Sequence, residues 1–432
     1  MQQSQRAIGN PALDVAIAEA NVRALPVVVA FGLTESYPDA TARAYAFMLE
    51  GLSEIARALA RRGAAFVIRR GAPDVVALAL AAEAALVVCD RGYLRHQRAW
   101  RDTVVVRAPC RVIEVEGDLV VPVAQASPKH EIAARTLRPR LQRLWDEYLD
   151  EVPEAPILHS AGGLDLIGDV DLGDIELVLR GLPIDRTVAP VRRFRGGYAA
   201  ARQRLERFLE RGLASYGEKR ATVDPVDVSG LSPYLHFGQI SPVEIARAAR
   251  DHRASAAGHA AFLDELIVRR ELAVNHVYYD ERYDGYDAVP DWARKSLDKH
   301  RSDRRPFLYS AEQLAAGETH DRWWNAAMRE MRLTGYMHNR LRMYWGKKIL
   351  EWSRSPEDAF AVAVQLNNRY FLDGRDANSY ANVAWLLGLH DRPWAERPIF
   401  GTVRYMNENS LRKLSLDDYR RHVETLAAAE EA

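Results

Sequence analysis

The strongest constraint on this chain is a change of hydrophobic period about a third of the way along it. Residues 25–31 (LPVVVAF), 65–68, 86–89 and 103–107 are short β-branched runs that read as buried strands. Between the first two, residues 41–62 place Tyr45, Met48, Leu52, Ile55 and Leu59 on one helical face, and residues 74–83 support another helix. Such alternation predicts an α/β Rossmann-like domain, a parallel sheet with helices on both faces. No GxGxxG follows the first strand, so the usual dinucleotide phosphate loop is absent. The chain opens on a helix-like stretch, residues 5–21, with no strand ahead of it. The expectation is a start that omits the first strand of the sheet.

Residues 150–182 hold Pro153, Pro156, Gly162, Gly163, Gly168 and Gly173 and read as a connection. Beyond Gly197 the pattern is almost wholly helical, with helix starts at Ser241-Pro242 and Ser355-Pro356. The expected organisation is an α/β domain over 1–150, a linker over 151–196 and an all-α domain over 197–432. A length of 432 residues supports two domains. Lys+Arg and Asp+Glu balance at 59 each, which argues against wholesale coating of a polyanion and leaves room for a local basic face. Only two cysteines, Cys89 and Cys110, exclude a disulfide framework. No apolar run approaches the ~20 residues that span a bilayer. A cytoplasmic, membrane-free monomer is expected.

Several constellations carry polar chemistry. The first is SGLSPYLHFGQIS at 229–241, a turn of small residues and hydroxyls leading into a helix. In FLDELIVRREL at 262–272, Glu265 and Arg269 lie four apart, on one face of an expected α-helix and among apolar neighbours that imply partial burial. Trp324, Trp345 and Trp352 form an aromatic series; a packing stripe is the commoner fate of such residues, and a chain of redox-active rings is the alternative. LNNRYFLDGRDAN at 366–378 gathers acids and amides about a glycine turn, ahead of Trp385, Asp391 and Arg392. Too few acids alternate there for a calcium loop. His236, His338 and His390 show no zinc spacing, so no metal is expected.

In order and spacing these blocks, with SPKHEIAART at 127–136 and RPIFGTVRYMN at 397–407, resemble class II cyclobutane pyrimidine dimer photolyases of the photolyase and cryptochrome superfamily. The resemblance implies an N-terminal antenna domain, a helical domain holding FAD, and light-driven electron transfer to a pyrimidine dimer flipped out of double-stranded DNA. It assigns Tyr216, Ser229, Gly230, Leu231, Ser232, Arg269, Asp373, Arg375 and Asp376 to FAD contact, Asn367 to the flavin N5 and Arg342 to pairing with Asp373. Glu265 corresponds to the acid that bonds the dimer, and Trp385 and Met343 to walls of the lesion pocket. Trp345, Trp324 and Trp352 correspond to the chain that re-reduces flavin. Arg220, Trp385, Asp391, Arg392 and Arg404 are the expected DNA contacts, with Arg294, Lys295, Lys299, Arg301, Arg304 and Arg305 as further basic candidates. A deazaflavin or folate antenna is implied as a possible second chromophore. The alternative is a cryptochrome-type light receptor that binds FAD without repair.

Overall fold

The structure, a computed structural model, describes residues 1–150, 153–219 and 228–431. Helix α1 (Pro11–Arg23) comes first, capped by Asn10, whose side chain accepts from the Leu13 N–H. Strands β1 (Val28–Leu33) and β2 (Ala65–Arg70) pair in parallel with Val28 opposite Ala65, and helix α2 (Ala42–Arg62) makes the crossover. Leu49, Leu52, Ile55 and Leu59 of α2 are buried, and the helix stops at Gly63. Its φ of 90° there is left-handed backbone that glycine adopts at least cost. Helix α3 (Pro73–Ala81) leads to β3 (Leu86–Asp90), and α4 (Arg95–Arg107) connects it to its parallel partner β4 (Arg111–Val115).

The parallel sheet is carried as two such pairs, and among the described residues no ladder joins them. Residues 1–4 lie between them, bonded to β1 and to the C-terminal residue of β3. Met1 donates to the Ala30 carbonyl at 2.9 Å, and the N–H groups of Gln2, Gln3 and Ser4 converge on Asp90 Oδ2 at 2.7, 2.7 and 2.9 Å. Burial opposes charge on Asp90, but the Met1 ammonium, Arg101 and the Gln2 and Ser4 amides hold its carboxyl down at about 2.

Residues 103–107, expected as a strand, are the last turn and a half of α4. Val104 is buried while Val105 and Val106 are 57% and 82% exposed, so the β-branched run has only one residue facing the core. The strand that belongs there is β4, beyond Pro109.

From Tyr198 onward the described residues hold helices and no strand. Ser355 caps Pro356–Tyr370 by accepting from the Asp358 N–H at 3.1 Å, whereas Ser241 precedes Pro242–Asp251 without a side-chain bond. One core gathers Trp324, Met328, Met331, Ile349, Leu350 and Phe371. Another runs from Phe47 of α2 through Leu137 and Leu205 to Ile267 and Leu372, so the two halves share buried surface. Within the expected linker, the helix Ile175–Gly181 buries Val178, with Leu182 and Ile184, in the core around α2. Charged side chains also cross the junction. Arg6 donates to the Gly238 carbonyl at 3.0 Å, and Arg43 to the carbonyls of Ala189, Met331 and Tyr370 at 3.0, 3.1 and 2.7 Å. No helix among the described residues is long and apolar enough to cross a membrane.

Candidate active site

The loop after Pro356–Tyr370 sets the centre of the site. Asp373 accepts from Arg342 Nη1 and Nη2 at 3.1 and 3.0 Å, a two-pronged charge-assisted pair. Burial resists ionisation of Asp373, but Arg342 and a hydrogen bond from Ser232 outweigh it and hold the carboxyl below its usual range. Ser232 opens the helix Ser232–His236, directly after a turn in which Gly230 has φ +64° and Ser229 Oγ accepts from the Leu231 N–H at 3.4 Å. The 229–232 turn and the 371–376 loop, far apart in sequence, therefore meet at one acid.

The loop itself is tightly tied. Gly374 has no room for a side chain, since a Cβ there would lie 2.7 Å from the Asn367 carbonyl oxygen and 3.0 Å from that of Phe371. Arg375 is buried, in left-handed backbone with φ 64°, and its guanidinium donates to the Phe371 and Leu372 carbonyls at 3.4 and 3.3 Å. Asp376 caps Ala377–Leu386 by accepting from the Ala377 N–H at 2.6 Å; burial raises its pKa. Asn367 is buried and donates to Asn368 Oδ1 at 3.2 Å. Tyr216 packs edge-on against Phe208 and Phe262, each with ring centroids 5.5 Å away.

Residues 264–269 depart from expectation: they form a π-turn, not α-helix. The wider turn carries Arg269 past Glu265 to Asp264, five residues back, with Nε 3.3 Å from Oδ2. Asp264 also receives Arg138 Nε at 2.7 Å. Glu265 and Arg269 are both half-buried. Met343 on Asn339–Trp352 and Trp385 on Ala377–Leu386 are half-buried too, on helices that approach closely where Gly346 faces Leu386.

The tryptophans make a continuous ring path. Trp345 and Trp324 stack with centroids 6.5 Å apart, and Trp324 and Trp352 meet at 5.6 Å. All three are essentially buried. Trp352 continues to Tyr309 and His320, each at 5.4 Å, and His320 is exposed. At the other end Trp345 touches Phe371 at 6.4 Å, whose ring lies 3.9 Å below the Arg342 guanidinium.

The basic candidates divide sharply. Arg294 pairs with Asp287 and Asp291, Lys299 with Glu396, and Arg301 with Asp298 and Glu357. Arg392 and Arg404 are exposed instead and lie over the Trp394 ring at 5.6 and 5.1 Å, while Asp391 accepts from its indole N–H at 3.2 Å. Arg220 lies outside the described residues. Sequence reading missed Asp264, Tyr309, Trp394 and Arg270, the last of which donates to the Asp118 carbonyl. Asp264 and Arg270 lay inside the 262–272 run already picked out; what each of the four touches depends on contacts that spacing does not encode. Arg270 borders a cleft at the C-terminal end of β1, lined by Tyr37, Tyr45, Trp100 and Asp376 among others.

Residues 1–157 match the family model for DNA photolyase. The chain is 43% identical to the deoxyribodipyrimidine photo-lyase of Methanothermobacter thermautotrophicus, over 97% of this chain and 92% of that protein. It is 39% identical to the Arabidopsis thaliana deoxyribodipyrimidine photo-lyase, over 99% and 88%. The fold superposes on a class III photolyase from Agrobacterium tumefaciens with a TM-score of 0.74 at 20% identity, covering 100% and 89% of the two chains. By descent and fold alike, this chain belongs to the DNA photolyase family.

Proposed function

We propose that this enzyme is a class II photolyase that splits cyclobutane pyrimidine dimers in double-stranded DNA, as a cytoplasmic monomer with its antenna domain over 1–150 and its catalytic domain over 197–432. The observation that carries the reading is the Arg342–Asp373 pair, linked through Ser232 to the 229–232 turn. Hydroxyls, an amide, an acid and a fixed cation around one buried loop are the donor set that a flavin ring and its diphosphate need. FAD fits these residues, and when bound and reduced it supplies light absorption and a one-electron donor.

The chain's own residues then have distinct tasks. Asp373 and Asn367 orient the ring system, the Asn367 amide being able to donate or accept at one edge. Arg342 offsets negative charge there. Ser229, Gly230, Leu231, Ser232, Arg269, Arg375, Asp376 and Tyr216 hold the remainder of the cofactor. Glu265 hydrogen-bonds the dimer, and Trp385 and Met343 wall its pocket. Arg392, Arg404 and Asp391 with Trp394 engage the DNA strand, joined by Arg220. The cleft at the end of β1 offers aromatic rings at the carboxyl ends of parallel strands, where such folds take ligands. A second chromophore, deazaflavin or folate, is proposed for its Tyr37, Tyr45 and Trp100 side, Arg375 and Asp376 bordering the cleft being those assigned to FAD. Trp345, Trp324 and Trp352 deliver electrons that restore the reduced flavin.

The test is an absorption spectrum of the purified protein, then repair of a dimer-containing duplex in blue light and in darkness. Flavin absorption with repair confined to the light is expected. Equal repair in the dark, or a protein that stays colourless when offered FAD, overturns the reading; flavin binding without repair selects the light-receptor alternative.

A further inference from the structure

Residues 127–136 have no part in the site described above, yet they lead into a second polar cluster. His130 comes from that segment, His276 from the helix Arg270–Tyr279 and His390 from the loop after Ala377–Leu386. Ring centroids are 5.1 Å apart for His130 and His276, 6.0 Å for His276 and His390, and 6.5 Å for His130 and His390. Asp280 follows His276 by one helical turn, and His130, His276 and Asp280 each offer a ligand atom within 4.8 Å of the others.

These rings are only partly satisfied. His276 is 0% exposed; its Nδ1 lies 3.2 Å from His130 Nε2, while its Nε2 and that of His390 are buried with no hydrogen-bond partner among the described residues. An imidazole nitrogen left so costs about 1–3 kcal/mol. His390 is also held in left-handed backbone, φ 60°, uncommon for a residue with a side chain. Its Nδ1 is 2.9 Å from the Ile132 carbonyl, and only Nδ1–H can donate there. That bond fixes the tautomer and leaves the lone pair on Nε2, as a backbone carbonyl does for metal-bound histidines.

We propose that His130, His276, Asp280 and His390 bind one divalent transition-metal ion of the zinc type, clasping the 127–136 segment to the helical half. Three imidazoles and one carboxylate suit zinc far better than calcium or magnesium, which take oxygen. Two imidazoles on a tetrahedral ion with bonds of about 2.0–2.1 Å have centroids about 5 Å apart, the spacing of His130 and His276. His390 lies outside the three-residue group, its ring centroid 6.0 and 6.5 Å from the other two, and must move inward to complete the set. Asp280 also accepts from Arg282 at 3.0 and 3.3 Å, but a carboxylate has lone pairs for both. Spacing does not reveal this cluster, since His130 and His276 are 146 residues apart.

The experiment is calorimetric titration of the full-length, flavin-loaded, chelator-stripped protein with zinc chloride, with metal content measured after desalting and thermal midpoints with and without zinc. One retained equivalent and a raised midpoint are expected. His276→Ala, and separately His390→Gln, should weaken binding by more than about tenfold and abolish the midpoint shift. Failure of the wild-type chain to retain zinc overturns the proposal without recourse to any variant. So does a retained equivalent that survives both substitutions, or one that is lost in Cys89→Ser.

Discussion

Arg342 does two things at one point. It grips Asp373 with two hydrogen bonds and lies flat over Phe371, so the acid is oriented before any ligand arrives. Replacing Asp373 with Asn removes the charge but keeps the shape, leaving Arg342 short of a counter-ion in a largely buried place. We expect a loss of about 2 kcal/mol in urea unfolding and a lower ratio of flavin to protein absorbance after purification. Unchanged flavin content in a folded variant would remove Asp373 from the cofactor site. Trp345→Phe keeps the packing but raises the cost of oxidising the ring nearest Phe371, so photoreduction of oxidised flavin should slow while pre-reduced enzyme repairs as before. Stopped illumination followed at flavin wavelengths, beside a repair assay, separates the two. The Asp373, Arg375 and Asp376 loop and the tryptophan series were legible as residues because their side chains are rare in such a pattern. The partner of Arg269 was not, since its choice depends on the turn beneath it.

At the scale of elements, one extra residue per turn decides that choice. The π-turn Asp264–Arg269 brings residues five apart together, and nothing in the sequence distinguishes it from the α-helices on either side. The same limit explains residues 103–107: three valines in a row satisfy a strand and a buried helix end equally, and only the exposure of Val105 and Val106 tells them apart. By contrast β1, β2, β3 and α2 were readable, each having a long run bounded by glycine, proline or charge. The glycine turn at 374 ties the helix Pro356–Tyr370 to the loop that carries Asp373. Gly374→Ala forces a methyl against backbone atoms of Asn367, Asn368 and Phe371, none of which is a flexible side-chain tip. A cost of about 1–3 kcal/mol is expected, together with reduced flavin retention, because the loop that carries Asp373 has to move away from Asn367 and Phe371. Differential scanning calorimetry and flavin stoichiometry check both.

Polar groups as well as apolar side chains are buried where the halves of the molecule meet, and Glu271 is one whose charge is opposed by that burial. Its Oε1 accepts from the Val120 and Val121 N–H groups at 2.7 and 3.3 Å, joining the chain after β4 to the helix Arg270–Tyr279. Burial outweighs those two bonds and the nearby Arg270, and pushes the carboxyl up to about 8. Below about 4.5 the group is protonated both folded and unfolded, and its contribution is fully present. As the pH rises from there, the unfolded chain releases the proton while the folded chain keeps it, so this contribution to stability declines through the window and is spent above about 8. Glu271→Gln retains the accepting oxygen and cannot titrate. Urea midpoints measured from pH 5 to 8.5 should therefore fall with pH more steeply in the wild type than in the variant, the two curves converging at the acid end if the amide is otherwise tolerated. Parallel curves would mean that water or a shift at the junction lets Glu271 ionise in place, and that the halves are joined less tightly there than its burial implies.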